Sequence, residues 1–182
     1  LEPGRTVEQV DAVVLSRGSA FGLATADGVM QWLVEHDRGV ETRGGRVPIV
    51  PAAAIYDLVV AGGERPGPAE GRAAVEAAHA APDFLTEDVR TSDERSASSG
   101  RTGRIGAGRG ATVGTWRGVD GGVPGGLGVA VARCGDATIG AVAVVNAVGD
   151  VVDEQGRPLA ASSSGPDVEP FPESETLIGV EA

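Results

Sequence analysis

Apolar residues fall in short runs along the chain, broken by glycine, proline and charged clusters. Residues 10–15 (VDAVVL), bounded by Ser16-Arg17-Gly18, read as a buried strand. Ser19 follows as the expected N-cap of a helix running through AFGLATADGVMQWLVEHD. On that helix Phe21, Leu23, Ala26, Met30, Leu33 and Val34 form one broad stripe. Asp27, Gln31 and Glu35 lie opposite, and Gly39 ends the helix. Residues 47–50 predict a second strand with Pro48 and Pro51 at an edge or bend. IYDLVVA at 55–61 is a third apolar stretch. The Ala- and Glu-rich residues 68–81 favour a helix with weak side-chain anchoring.

The second half reads differently. Runs at 111–116, 127–133 and 137–145 are β-rich and separated by glycine clusters, and 148–152 continues the sheet. Two polar stretches interrupt the pattern: 83–104 is expected to be an exposed or disordered loop, and 157–175 a mobile connector. Residues 176–180 (TLIGV) begin a last strand close to Ala182. A strand placed there needs further chain or a partner to complete a sheet, so the expectation is a partial copy of a single domain covering 1–182.

Composition sharpens this only in places. Aromatic residues are 3% of the chain, so the core must rest on Val, Ala, Leu and Ile. All 15 basic residues are Arg, and the net charge is −11. An acidic surface disfavours phosphate backbones, so no nucleic-acid partner is expected. Codon bias with ordinary solubility and adaptation to high salt both account for the acidity. No apolar run reaches the length of a membrane span, and no membrane association is expected. The expected location is the cytoplasm.

Candidate chemistry is sparse at first reading. Cys134 is the single cysteine and ends an apolar run, which favours an inert buried thiol over a catalytic one. His36 and His79 are far apart in sequence and lack metal-ligand spacing, so neither zinc nor any cofactor is expected. Gly106-Ala107-Gly108-Arg109-Gly110 resembles a phosphate loop but lacks the strand before it and the helix after it. Ser19 directly follows Gly18, so GSAFGL is not a GxSxG elbow. A cap or a pocket-lining backbone N–H is the expected role at Ser19.

VDAVVLSRGSAFGLATADGVMQWL, VPIVPAAAIYDL, GAGRGATVG, GGLG and AVVNAVGDVVD occur in an order that resembles the L-aminopeptidase/D-esterase and β-aminopeptidase family, which includes the nylon-oligomer hydrolase. The resemblance runs from about Leu1 to Asp153 and resumes near Thr176. It implies a four-layer α/β/β/α sandwich like that of N-terminal-nucleophile hydrolases. It also implies a precursor that cuts itself between Glu175 and Thr176, freeing Thr176 as nucleophile. The freed α-amine, with a pKa near neutrality, can then act as the local base. Asn146 matches an oxyanion-holding Asn, and Tyr56 with Ser19 are candidate substrate contacts. Implied partners are a small peptide or an amino-acid amide or ester, the chain's own β-subunit segment, and further copies in a homo-oligomer.

Departures from the family pattern are as plain as the matches. Relatives carry Lys where this chain has Pro124 and Thr115, and Asn where it has Glu175. Leu177 replaces a Thr, and Arg17 stands where GGSAFGL begins with Gly. Three readings therefore stand open: a self-activating aminopeptidase/amidase, an inactive homologue that keeps the fold, and an acidic module binding a small ligand at the GSAFGL turn.

Overall fold

A computed structural model describes residue 4, residues 7–81 and residues 102–163. Thr176, Glu175 and the expected last strand lie outside these residues, as does most of the expected loop at 83–104.

The chain enters β1 (Val14–Ser16), shorter than the apolar run predicts. After it Gly18 adopts φ 85°, in the left-handed region that glycine takes without steric cost. The next six residues, Ser19–Ala24, form a 3-10 turn rather than α-helix. Only then does α1 (Thr25–Glu35) begin. Ser19 is therefore not a side-chain N-cap: it sits at φ 56° inside the turn, and no side chain caps either segment. The late start also shifts the buried face. Thr25, Gly28, Val29, Trp32 and Leu33 are buried at α-helical spacing, whereas Phe21, Leu23 and Val34 remain exposed. A stripe counted through the 3-10 turn at 3.6 residues per turn loses its phase there.

A hairpin of β2 (Val40–Thr42) and β3 (Gly45–Val47) leads to β4 (Ala52–Ala54), which pairs parallel with β1 in the register Leu15 to Ala53. The expected strand at 47–50 thus contributes only its first residue to β3. The stretch from Leu58 to Gly63 folds as turns. Helix α2 (Pro68–Ala80) then packs along α1. It buries only Gly71, consistent with its Ala-rich sequence. The two backbones also approach closely: a Cβ on Gly28 would overlap the Pro68 carbonyl, and one on Gly71 would overlap that of Thr25. At the far end Arg72 bridges Glu35 of α1 at 2.7 and 2.9 Å and Glu76 at 2.9 Å. The main core cluster is Val29, Trp32 and Leu33, with Ala12, Val14, Val50 and Val75 packed against it.

In the second half the 3-10 turn Gly106–Gly110 precedes β5 (Thr112–Val113), which pairs antiparallel with β6 (Val123–Pro124). The long hairpin of β7 (Gly126–Cys134) and β8 (Ala137–Val145) follows the two β-rich runs closely. Its turn places Gly135 at φ 61°, which suits the twist of the two strands. Most of β8 is exposed, including Ile139, Val142 and Val145. Short strands β9 (Val151–Val152) and β10 (Pro158–Ala160) pair antiparallel. The opening of the expected connector is thus tied down: Ser162 N–H reaches Asp150 Oδ1 at 2.9 Å, and Ser163 N–H reaches the Gly121 carbonyl at 2.8 Å. The described strands form five separate two-stranded sheets rather than continuous layers. No described helix is long and apolar enough to cross a membrane.

Candidate functional site

The segment Ile55-Tyr56-Asp57 is the spine of the site, and three elements hang from it. The Ser19 N–H donates to the Ile55 carbonyl at 2.8 Å, and Ile55 N–H donates back to Ser16 at 3.1 Å. This continues the β1–β4 pairing by one step and holds the GSAFGL turn against the spine. Next, the Tyr56 carbonyl accepts from Asn146 Nδ2 at 3.0 Å. The Asn146 Oδ1 meanwhile accepts from the Thr112 N–H at 2.9 Å. A carbonyl on one side and an N–H on the other fix the orientation of the amide, since a flipped Asn would face like with like. Asn146 follows directly on β8, so its side chain joins the hairpin, β5 and the spine.

Asp57 completes the spine and was not singled out in the sequence. Its carboxylate is fully buried. One oxygen accepts from the Gly18 N–H at 2.7 Å, the other from Arg17 Nε at 2.9 Å. Arg17 is itself largely buried and also reaches Glu64 at 2.8 Å. Gly110 packs so closely against Asp57 that a Cβ there would overlap the carboxylate. A lone carboxylate inside the apolar stretch IYDLVVA was the available signal, because a buried charge needs a cation or several N–H donors nearby. Arg17, read only as a departure in sequence, is the cation that answers it.

The structure therefore brings Ser19, Tyr56 and Asn146 together through one stretch of backbone. Tyr56 is 61% exposed, and the Ser19 hydroxyl makes no hydrogen bond among the described residues. Pro124 stands across the β5–β6 pair from Thr112, the residue whose N–H holds Asn146. Pro124 thus adjoins the Asn146 anchor. Close to the spine a cleft of about 540 Å³ opens between β1, α2 and the glycine turn, with Arg17, Glu64, Arg65 and Arg109 among its walls.

Both histidines also meet, away from this site. His36 stacks on Trp32 with ring centroids 3.7 Å apart, and His79 lies 5.1 Å from the same indole. Their own centroids are 6.0 Å apart. Among the described residues no group of three or more His, Cys, Asp or Glu side chains is placed to hold a metal ion.

Comparison with known proteins agrees with the order of motifs. The model of peptidase family S58 matches residues 1–182. An uncharacterised aminopeptidase of Mycobacterium leprae is 46% identical over 155 residues, covering 84% of this chain and 38% of the relative. Uncharacterised aminopeptidases of Mycobacterium bovis and Mycobacterium tuberculosis are each 42% identical over 168 residues, covering 91% of this chain and 42% of theirs. The chain thus spans about two-fifths of the length of these curated relatives. With its motifs in family order and its whole length matched, the chain belongs to peptidase family S58.

Proposed function

We propose that this chain supplies part of an N-terminal-nucleophile aminopeptidase/amidase acting on small peptides or amino-acid amides and esters. The observation that carries the proposal is the Asn146 side chain, held at both ends by backbone. Its Nδ2 has two hydrogens and Tyr56 takes one. The second has no partner among the described residues and can meet an oxyanion. A donor fixed in advance stabilises developing charge without reorganising during the reaction.

In the proposed reaction the Thr176 hydroxyl attacks the Glu175 carbonyl, the Glu175–Thr176 C–N bond breaks to free the Thr176 α-amine, and water then cleaves the resulting ester to release the Glu175 carboxylate and restore the hydroxyl. That amine accepts the hydroxyl proton as Thr176 Oγ attacks a substrate carbonyl. The tetrahedral oxyanion accepts a hydrogen bond from Asn146. Its collapse returns the proton to the leaving amine or alcohol and leaves an acyl ester on Thr176. Water then cleaves that ester and restores the hydroxyl. Ser19 and Tyr56 would border the substrate, on either side of the Ile55-Tyr56-Asp57 spine. A four-layer α/β/β/α sandwich would be completed by the chain's own β-subunit segment and by further copies, and the exposed apolar residues of β8 support that need.

Mass spectrometry of the protein made from the complete reading frame tests this. Two fragments divided between Glu175 and Thr176, lost in Thr176→Ala, are expected, together with hydrolysis of amino-acid p-nitroanilides. An intact chain without hydrolysis would sink the proposal. It would favour a homologue that keeps the fold without the chemistry, a reading supported by the absence of an amine at Pro124, opposite Thr112.

A further inference from the structure

Two hollows adjoin beside the spine, sharing Arg17, Glu64 and Arg109 as a common wall. The larger is about 540 Å³, within the range of small-molecule sites, and the smaller about 210 Å³. Arg65 lines the first and Arg104 the second, so four arginines border these two adjoining hollows in a chain of net charge −11. Their charges are unevenly compensated. Arg17 is paired twice, with Asp57 and Glu64. Glu70, the other acid on the wall, accepts the Gly67 N–H at 2.8 Å at the start of α2.

Arg65, Arg104 and Arg109 have no carboxylate partner among the described residues. Arg65 lies over the Phe21 ring, its guanidinium carbon 3.9 Å from the centroid. Arg104 donates to the Arg109 backbone carbonyl at 3.1 and 3.2 Å, and the Arg109 guanidinium has no hydrogen-bond partner among the described residues. Facing these cations are the apolar surfaces of Leu15, Pro66, Ala74 and Ala107.

We infer that this cleft binds a small organic carboxylate, with Arg109 and Arg65 taking the carboxylate and the apolar wall taking a short hydrocarbon body. A planar guanidinium matches a carboxylate with two parallel N–H···O bonds, which an ammonium cannot do. The apolar wall gives an inorganic anion nothing in return for its lost hydration. Glu64 and Glu70 in the same wall repel polyanions. The inference is independent of the proposed chemistry at Thr176, because binding is read without turnover.

Calorimetry on the 182-residue chain tests it, with N-acetyl-leucine set against its neutral amide and against inorganic phosphate. The acid is expected to bind about tenfold or more tighter than the amide, as a charge-assisted pair implies. Arg109→Gln and Arg65→Gln should each weaken it about tenfold, while Arg157→Gln, which removes a pair with Asp153 instead, should leave it unchanged. Both cleft arginines are exposed, so circular dichroism of their variants should match the parent. The inference is overturned by no binding of the acid, by equal affinity for acid and amide, by phosphate binding as tightly, by insensitivity to both cleft substitutions, or by an equal loss in Arg157→Gln.

Discussion

The Asn146 amide donates to the Tyr56 backbone carbonyl at 3.0 Å across 90 residues of sequence. With the Thr112 N–H on its other side, this one side chain links the two halves of the chain. Asn146→Ala should cost about 1–3 kcal/mol in chemical denaturation, since it strands a backbone donor and a backbone acceptor. Asn146→Asp gives a sharper reading. Ionised, it presents an oxygen to the Tyr56 carbonyl; protonated, it restores a donor there. Its deficit against the parent should therefore shrink as pH falls below the range of ordinary carboxylates.

The Asp57–Arg17 pair should dominate the stability of the spine. Asp57→Ala leaves a largely buried guanidinium with only the exposed Glu64 to answer it. Removing one member of such a pair costs about 3–5 kcal/mol. Arg17→Ala combined with Asp57→Ala should cost less than the sum of the single changes, by about 0.5–3 kcal/mol. Additive losses in a double-mutant cycle would show that the two side chains act separately.

The legible parts of the fold were those set by local pattern. The hairpin of β7 and β8 follows its two β-rich runs, and α2 follows its Ala-rich sequence almost to the residue. The start of α1 differs from its reading, because Ser19-Ala20-Phe21 looks like a helix opening, whereas the structure folds it as a 3-10 turn with Ser19 N–H tied to the Ile55 carbonyl. Ile55-Tyr56-Asp57 reads in sequence only as the start of an apolar stretch. Its backbone serves instead as the anchor for side chains and loops that come from residues 17–19 and 146. The motif order led to the family and raised Asn146 as a candidate, but Arg17 and Asp57 became visible as a pair only in three dimensions, since they lie 40 residues apart.

The contact between α1 and α2 depends on two glycines. Alanine at Gly28 or Gly71 introduces a Cβ into the opposing backbone carbonyl, which no rotamer change can relieve. Each substitution should lower stability by about 1–3 kcal/mol despite the higher helix propensity of Ala. Gly44→Ala is the contrast: a Cβ there meets nothing nearer than Thr42 Oγ1 at 3.9 Å. Its change should stay within about 0.5 kcal/mol. Equal losses at all three positions in thermal melts would refute the close-contact account.

Acid should loosen the start of α2 through Glu70. The Gly67 N–H holds the Glu70 carboxyl below its ordinary value, and the backbone N–H of Glu70 itself adds to the effect. A carboxylate whose folded pKa is depressed stabilises the fold above its unfolded pKa, and that contribution fades as pH falls through the folded value. Glu70→Gln should therefore be less stable than the parent at neutral pH. The gap should close as pH drops from about 4.3, the ordinary value for Glu, to below the folded pKa. NMR titration of the Glu70 side chain should show a midpoint below that of an unpaired Glu. A midpoint at the ordinary value, or a stability gap that persists unchanged in acid, would place the role of Glu70 in packing rather than in charge.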